Sequence, residues 1–550
     1  MPRLNADLTL GEKSHRRLLN YLTALLDASR PIRDSQVEKF TEIDREVYGY
    51  LVPSEDDRKR YQDNRKGHGV KPTETKLPLT LTRLEEALTY LLLVLAPDEA
   101  MYNAIARAEE QQVAKAFAAL MNEHAEYFGH YHQLGMFLFN ALKYNYAGAL
   151  CEWSRVRGNR LENTQGGGLN ILENQVIQEG NEIICTDPYN TIYDTTVNPL
   201  KLFRDGEFVA FIDMRRDFWL YRAESNGEIF NLKEALKHHQ PGLTHTYYKE
   251  RPRIRYNYEI TSVVNWADWF MMHQKDDIQY QTTSFVNEVI TMYVQLYPNK
   301  WGLGASDKLE IWRFTFIPNN LVLEGSPQNN AHGLLPHVIT MPNEDGFLWN
   351  TKSWGEYLAP LNEFASFLLN THSHSTRRSL NNLIFYNKNV FGDLGNIDQI
   401  SGKVPTQTTS EDFDIRRHVF SINDAPDTQY TLRDMQQMIE LMEDILPTTM
   451  QRQVASLDRA TQYQAAATVQ ASSRRNLKIG KTIYLQSLVP LNHMQMYNIL
   501  QFQQSIEVIT QQGELIEVDP KEFRDAKLQF SISEGLRGLD KLTYLSLIHI

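Results

Sequence analysis

The chain has 550 residues, of which 42% are hydrophobic, and it carries 56 basic against 68 acidic side chains. This length predicts several structural domains, and this apolar fraction excludes a chain that is disordered throughout. The formal net charge of −12 differs from the basic balance of proteins that hold nucleic-acid phosphates tightly, and the longest apolar run, Leu91–Ala96, is far shorter than the ~20 residues of a membrane-spanning helix.

Residues 9–51 show a helical pattern, with leucines at three- and four-residue spacing. Pro31 interrupts this pattern, and we expect a helix boundary there because proline lacks the backbone N–H that a helix interior requires. Ser35 and Glu38 match a capping box, which predicts that a second helix begins at Ser35.

Positions 55–71 are rich in charged residues and contain glycine, which predicts an exposed loop or a mobile arm. Residues 81–157 then show a strongly helical pattern. The period changes over residues 183–221, where turn residues separate short runs of β-branched and aromatic side chains. This segment predicts a small β module.

A second β region is predicted over residues 287–323. Three aromatic side chains, Trp312, Phe314 and Phe316, alternate with other residue types, as expected for one face of a strand. We interpret this face as a packing surface. The candidate hairpin turn follows directly and consists of Pro318, Asn319 and Asn320.

Helical patterns resume at Ser353, which forms a second capping-box match with Glu356. Pro360 indicates that the regular helix begins there or is kinked. Residues 391–427 are rich in glycine, proline and threonine and predict loop with short strand. From Thr431, a candidate N-cap, to Leu446 we expect an amphipathic helix with a buried stripe of methionines.

The sequence offers little that is typical of an enzyme. Gly480-Lys481-Thr482 resembles the end of a phosphate-binding loop, but Arg475 stands where such a loop requires glycine. Two His-x-His pairs, at 130–132 and at 372–374, lie in helical patterns, where residues i and i+2 point apart and cannot share a metal ion. We therefore predict a chain without catalytic residues, cofactor or metal.

The order of these elements resembles that of the portal proteins of tailed bacteriophages, the head-to-tail connectors of the podovirus type. Four strings in the same order, between Leu88 and Gln470, carry the resemblance, and the match covers roughly residues 75–500. They are LTYLLLVLAPDEAMY, DPYNTIYDTTVNPLKLFRDGEFVAFIDMRRDFWLYR, LEIWRFTFIPNNLVLEGSPQNNAHGLLPHVITMPNEDGFLWNTKSWGEYLAPLNEFASFLLN and LDRATQYQAAATVQ. The hairpin, followed by Leu-Pro with a strand and by Gly-Glu-x-Leu-x-Pro at a helix start, is the most family-like part.

The resemblance implies an α+β, mainly helical subunit with a wing of helices and a small β module, stem helices, an α/β clip and a helical crown. It assigns the N-terminal arm and wing to residues 1–260, a first stem helix to 261–284, the clip with its β hairpin to 285–345, a second stem helix to 346–384, the wing return and tunnel loop to 385–430, and the crown to 431–550. The last residues, GLRGLDKLTYLSLIHI, start an apolar-periodic segment that stops without a cap, so we expect a longer natural product.

The function implied by the resemblance is a ring, typically of twelve copies, at one capsid vertex of the virion, assembled in the host cytoplasm without a membrane. Double-stranded DNA would pass through the ring during packaging and ejection. The implied protein partners are the large terminase, the tail adaptor, the major capsid protein and the scaffolding or core proteins. An acidic ring suits a sliding duplex, because fixed phosphate contacts lock its register.

Candidate residues follow from these assignments. Tunnel-facing positive charge is expected from Lys388, Lys403, Arg416 and Arg417, for which surface or inter-subunit salt bridges are the alternative. The clip hairpin turn, Pro318, Asn319 and Asn320, is the candidate docking site. Another virion structural protein, a tail adaptor or an internal core protein, is the alternative function, and a packaging ATPase is a further one that would require an intact phosphate-binding loop.

Overall fold

The structure is a computed structural model. It describes residues 12–48, 76–96, 101–105, 111–163, 169–232, 235, 246–249, 286–318, 320–344, 352–380, 383–386, 419–422, 429–445, 478–504, 506–509, 515–518 and 529–531. These residues form both α-helices and antiparallel β-sheets, which confirms the predicted mixture of helix and sheet.

The helices of the described residues differ widely in length. They are α1 (Glu12–Val47), α2 (Leu79–Leu95), α3 (Gln111–Tyr127), α4 (His130–Tyr144), α5 (Leu202–Asp205), α6 (Asp217–Ser225), α7 (Pro298–Trp301), α8 (Trp354–Leu380), α9 (Gln429–Ile445) and α10 (Val489–Phe502). A π-helical turn, Tyr484–Leu488, directly precedes α10. None of the described helices is both long and apolar enough to cross a lipid bilayer.

The strands of the described residues pair in antiparallel fashion. They are β1 (Asn103–Ile105), β2 (Ala147–Asn163), β3 (Leu169–Thr186), β4 (Thr191–Tyr193), β5 (Phe208–Arg216), β6 (Val286–Leu296), β7 (Glu310–Ile317), β8 (Leu321–Pro327), β9 (His337–Thr340), β10 (Leu383–Tyr386), β11 (Val419–Ile422), β12 (Ile506–Ile509), β13 (Leu515–Val518) and β14 (Gln529–Ser531). The chain divides into two compact units, the first of residues 1–44, 84–356 and 447–550 and the second of residues 45–83 and 357–446.

The core of the first unit lies on one face of a five-stranded sheet with the order β4-β5-β6-β7-β8. Alternate residues of the central strands, such as Ile290 and Met292 of β6, pack there against the leucines of α1, including Leu18 and Leu22. Strands from both sides of the expected boundary between wing and clip belong to this sheet, because β5 pairs with β6. Residues 285–345 therefore do not form a sheet of their own.

A three-stranded sheet with the order β3-β2-β9 also belongs to the first unit. β2 and β3 form a long hairpin, whereas β9 pairs only with the first four residues of β2, from Ala147 to Leu150. The helices α3 and α10 share a hydrophobic cluster beside this sheet, centred on Phe117 and Ile499. Helix α3 contacts β3, and α10 contacts both β2 and β3.

The second unit combines the larger part of α8 with α9 and the β10–β11 pair. Its described residues are joined by polar contacts between distant segments. The backbone N–H of Leu77 donates to Ser366 Oγ at 3.1 Å, and Arg83 pairs with Glu443. These contacts connect the segment before α2 to α8 and the start of α2 to α9.

The predicted helix boundary at Pro31 is wrong, because α1 continues through it from Glu12 to Val47. A proline in a helix interior costs about 3 kcal/mol, and buried side chains on both sides of it, among them Leu26 and Val37, offset that cost by packing. Arg33 adds two hydrogen bonds just beyond the proline, to the carbonyl oxygens of Tyr189 at 2.9 Å and of Tyr247 at 2.8 Å. Ser35 consequently lies inside the helix and caps nothing.

The helical prediction for residues 81–157 is confirmed by α2, α3 and α4, but it is wrong at β1, Asn103–Ile105, and again beyond Tyr144, since β2 begins at Ala147. Asn145 ends α4 in the left-handed conformation, with φ of 53°, which asparagine tolerates better than most residues. Gly148 then allows close packing, since a Cβ there would lie 2.4 Å from Thr186 Oγ1. The predicted β module over residues 183–221 corresponds to the end of β3, β4 and β5, followed by α6.

Two smaller predictions in the second half need correction. Helix α8 begins at Trp354 and includes Pro360 in its second turn, so the helix does not start at that proline. Helix α9 begins at Gln429, so Thr431 is not its N-cap. Met442 is fully buried, as expected from the methionine stripe, while Met435 and Met438 are half-buried.

Candidate functional site

The four predicted tunnel residues, Lys388, Lys403, Arg416 and Arg417, lie outside the described residues. The strands on either side of them are described, and Tyr386 at the end of β10 pairs with Val419 at the start of β11. The described strands on either side of residues 387–418 therefore end and resume at one pair of residues. All four candidates belong to the segment that this pair closes.

The predicted hairpin turn between β7 and β8 is confirmed by the register of the two strands, in which Ile317 pairs with Leu321. Pro318 and Asn320 are described, whereas Asn319 lies outside the described residues. Asn320 donates from its backbone to the Ile317 carbonyl at 3.1 Å and from its side-chain amide to the Ala235 carbonyl at 2.7 Å. The amide of Asn320 thus fixes the turn to a neighbouring segment of the chain.

The aromatic face of β7 is a packing surface, as predicted. Trp312, Phe314 and Phe316 are at most 2% exposed, and the rings of Trp312 and Phe314 stack with their centroids 6.0 Å apart. These side chains point to the same core as the leucines of α1. They are not available to stack on a ligand.

A large concave surface of the described first unit lies on the opposite face of the five-stranded sheet. We call it the inter-sheet groove. It has a volume of about 1170 Å³ and runs between that sheet and the three-stranded sheet. Leu150–Arg157 of β2 form one wall, and residues of β5, β6, β7 and β8 form the other. Both walls carry charged side chains.

Three carboxylates surround one guanidinium at the floor of the groove. Arg313 Nη2 lies 2.7 Å from Glu324 Oε1, and Nη1 lies 3.8 Å from Glu152 Oε1. Burial alone would lower the pKa of Arg313, but Glu324, Glu152 and the more distant Glu228 together raise it above its ordinary value. Burial raises the pKa of Glu152, against the opposing effect of Arg313. The floor therefore has an excess of acidic groups.

The exposed arginines at the rim of the groove are partly neutralised by their own acids. Arg155 lies 3.0 Å from Glu179, and Arg215 lies 3.0 Å from Asp213 while its guanidinium stacks over the ring of Trp219 at 4.6 Å. Such exposed pairs contribute little to stability. Arg157 and Arg222 also line the groove, so its lining contains five basic and five acidic side chains, and the acidic excess is confined to the surroundings of Arg313.

Two buried histidines bond the outer edge of β3. The backbone N–H of Asn181 donates to His124 Nδ1 at 3.4 Å, and His130 Nε2 donates to the Asn181 carbonyl at 3.0 Å. Tyr102 donates to the remaining nitrogen of His130 at 3.1 Å. Burial lowers the pKa of both His124 and His130 to about 4. The neutral forms that these bonds require are therefore the stable ones at pH 7.

The start of α8 confirms the second capping-box prediction. The backbone N–H of Ser353 donates to Glu356 Oε2 at 2.7 Å, and the backbone N–H of Glu356 donates to Ser353 Oγ at 3.0 Å. Gly355 packs so closely that a Cβ would lie 2.7 Å from the Lys143 carbonyl oxygen and 2.8 Å from a methyl carbon of Ile43. This explains the glycine of the Gly-Glu-x-Leu-x-Pro string.

Aromatic side chains are exposed along one side of α8 within the second unit. Tyr357, Phe364 and Phe367, which we call the α8 aromatic stripe, are 45%, 46% and 62% exposed. The rings of Phe364 and Phe367 stack with centroids 6.3 Å apart. The opposite side of the helix, with Leu358 and Ala365, is fully buried. The helix thus has one buried side and one side on which aromatic rings are exposed.

The Gly480-Lys481-Thr482 motif lies in helical residues 478–483, so its backbone N–H groups cannot form a phosphate-binding loop. His130 and His132 lie in α4, and His372 lies in α8, as the helical interpretation requires. In the described part of the chain, no group of three or more His, Cys, Asp or Glu side chains is arranged to hold a metal ion.

No family model matches this chain, and no curated protein matches it. Sequence reasoning did not identify the inter-sheet groove. Its residues range from Leu150 to Phe502 along the chain, and no local pattern brings them together. The sequence pattern predicted the strand that contains Arg313. It could not predict which acidic side chains lie next to Arg313, because these come from other strands.

Proposed function

We propose that this chain is the subunit of a portal protein, a closed ring at one capsid vertex through which double-stranded DNA is packaged and ejected. The α8 aromatic stripe is the observation that carries the proposal. A long helix with one buried and one aromatic exposed side suits a subunit that packs against a neighbouring copy. The ordered strings that resemble portal proteins supply the identity of the assembly.

The charge of the chain is compatible with a conduit. A net charge of −12 per copy leaves the ring acidic, and a sliding duplex then meets few fixed phosphate contacts. Local positive charge would come from Lys388, Lys403, Arg416 and Arg417 in the segment closed by Tyr386 and Val419. In this proposal the clip turn with Pro318, Asn319 and Asn320 docks the terminase and later the tail adaptor.

The mass of the purified particle tests the assembly. Twelve copies of 63.8 kDa give about 0.77 MDa, and we expect mass photometry and negative-stain images to show rings of this size. Closure at a fixed rotation is what distinguishes a ring from an open polymer. A protein that stays at the mass of one copy at micromolar concentration contradicts the proposal.

The α8 aromatic stripe can be tested separately. The double substitution Phe364→Glu with Phe367→Glu should dissociate the ring, because it places two charges in an apolar contact. Phe218→Glu is the matched control, since Phe218 is 73% exposed on α6 and lies outside the stripe. Rings that survive the double substitution would remove α8 from the assembly surface.

The DNA contact is tested in the assembled virus. Neutralising Lys403, Arg416 and Arg417 together should change the packaged genome length or the retention of the genome. Normal infectivity with normal packaged length would show that these residues do not contact DNA.

A further inference from the structure

Side chains form hydrogen bonds with backbone groups at the two outer edges of the three-stranded sheet. Side chains of α3 and α4 bond the outer edge of β3, where His124 and His130 hold Asn181 and Gln133 Oε1 accepts from the Cys185 N–H at 2.9 Å. At the other edge, next to β9, the side-chain amide of Gln486 accepts from the Met341 N–H at 3.0 Å and donates to its carbonyl at 3.3 Å. Side chains thereby bond each outer edge at these positions.

An open stretch of strand edge lies on β2 beyond the end of β9. The β9 pairing continues to the bond from the Cys151 N–H to the Pro336 carbonyl at 2.8 Å and then ends, since proline has no N–H to return a bond. By the alternation of an antiparallel ladder, the N–H and C=O groups of Trp153 and Arg155 point to this same side. Among the described residues they have no backbone partner there.

This open edge forms a wall of the inter-sheet groove, to which residues Leu150–Arg157 contribute. Unpaired strand edges are templates for another strand, and natural proteins usually cover them. Strand addition to an exposed edge is a common mode of peptide recognition, in which backbone bonds give affinity and flanking side chains give specificity. The groove provides a volume of about 1170 Å³ beside the edge.

The acidic side chains at the floor of the groove favour a ligand with a basic side chain. Around Arg313, Glu152 and Glu324 form ion pairs with its guanidinium, and Glu228 adds a third negative charge nearby. Glu152 and Ser154 lie on the same side of β2, because alternate strand residues share a face. An incoming residue opposite Ser154 is thus a diagonal neighbour of Glu152, within reach of a long side chain.

We propose that the open edge of β2 binds an extended segment of a partner protein as an additional antiparallel strand, with a lysine or arginine opposite Ser154. The backbone of that segment bonds Trp153 and Arg155, and its basic side chain complements the acidic floor. The proposal does not depend on the portal assignment.

Peptide binding to the purified full-length protein tests the charge preference. The probes are acetyl-Thr-Val-Lys-Val-Thr-amide with a fluorescent label and the same peptide with glutamate in place of lysine. Fluorescence anisotropy should give a Kd at least about tenfold lower for the lysine peptide, because like charges in such a groove oppose binding. Equal affinities, or no saturable binding of either peptide at millimolar concentration, would overturn the proposal.

Backbone methylation tests strand pairing without altering the protein. With lysine opposite Ser154, the N–H groups of the two valines face Trp153 and Arg155, whereas that of the lysine faces away. N-methylation of both valines should abolish binding, and N-methylation of the lysine should leave most of it. Equal effects of the two modifications would rule out strand addition.

A pair of protein variants locates the site. Arg155→Pro removes one outward N–H and obstructs an incoming strand, while Arg155→Thr loses the same ion pair with Glu179 but keeps the N–H. We expect at least about tenfold weaker binding for R155P and little change for R155T, as only the first alters the ladder. Far-UV circular dichroism checks that both variants fold. If R155P does not fold, the N-methylated peptides still test whether the ligand binds as an added strand.

The mass of the assembled particle tests whether a neighbouring copy of the chain, and not a separate partner, occupies the β2 edge. If a neighbouring copy occupied the edge, R155P would lower the mass of the assembled particle while R155T would not, and the proposal of a separate partner would be wrong. We expect both variants to keep the mass of the unmodified protein. An unassembled wild-type protein that still binds the lysine peptide would contradict the portal proposal and leave this one intact.

Discussion

The side chain of His337, which lies opposite Leu150 in the β2–β9 pair, fills the space above Gly148. A Cβ built on Gly148 would lie 2.6 Å from His337 Nε2 and 2.4 Å from Thr186 Oγ1, and His337 is fully buried. The ring cannot move without breaking its 3.2 Å hydrogen bond to Thr186. Only glycine therefore fits at position 148.

Gly148→Ala should reduce the free energy of unfolding by about 1–3 kcal/mol, the usual cost of overpacking. Urea unfolding followed by circular dichroism measures the change. Gly135→Ala is the control, because Gly135 lies inside α4 with no heavy atom within 4 Å of an added Cβ. There we expect a gain of roughly 0.5–1 kcal/mol from helix propensity. A neutral G148A would mean that β9 can shift away from β2.

Asp44 is the centre of a buried polar cluster. Its carboxylate lies 2.8 Å from Lys143 Nζ and accepts hydrogen bonds from Tyr144 at 2.7 Å and from Tyr189 at 2.8 Å. Asp44→Asn should cost about 3–5 kcal/mol, because it leaves a buried ammonium group without its counter-ion. Asp205→Asn removes a carboxylate from an exposed pair with Arg204, and we expect no measurable change. Equal unfolding midpoints for the two variants would contradict this account.

Alanine substitution should affect stability differently at the serines of the two Ser-x-x-Glu matches. Ser353→Ala should cost about 0.5–2 kcal/mol because Ser353 caps α8. Ser35→Ala should be neutral or slightly stabilising because Ser35 lies in the interior of α1, where alanine is the better helix former. Thermal unfolding of both variants tests the pair. A larger loss at Ser35 would indicate that α1 is interrupted after Pro31.

Acid should destabilise the first unit. Burial lowers the pKa of His124, His130 and His332 to about 4 and that of His337 to about 3. The unfolded chain binds these protons near pH 6.5, so stability is complete above that pH and decreases as pH falls toward 4. Each such histidine contributes up to ~1.4 kcal/mol per pH unit in this window.

Urea unfolding at pH 7.5, 6 and 5 measures this dependence. His337→Gln should flatten the slope, because it removes one titrating site and retains a group that can bond Thr186. A slope that is the same in H337Q as in the unmodified protein would show that His337 does not take up a proton on unfolding.

Local patterns predicted the elements that depend on near neighbours. The alternation of Trp312, Phe314 and Phe316 identified β7 and its buried face, and Ser353 with Glu356 identified the start of α8. The same rules failed at Pro31, where burial on both sides of the proline outweighs its local cost. They also failed beyond Tyr144, where a helical pattern concealed the start of β2.

The candidate sites were less accessible to sequence reasoning. The acidic floor of the groove depends on Glu152, Arg313 and Glu324 meeting across two sheets, and nothing in the sequence near any of them indicates the others. The tunnel candidates stay predictions, since Lys388, Lys403, Arg416 and Arg417 lie outside the described residues. For the clip turn, Asn320 could be placed on the hairpin, but its bond to Ala235 could not be foreseen.

The pairing of Tyr386 with Val419 has a consequence for how this protein can change over evolutionary time. Because the two ends of residues 387–418 are held together, additional residues in this segment need not displace either strand. Doubling the length of a connection between two fixed ends adds only about 0.6 kcal/mol in closure entropy. Insertions and deletions among related sequences should therefore accumulate between these strands, whatever the segment contacts.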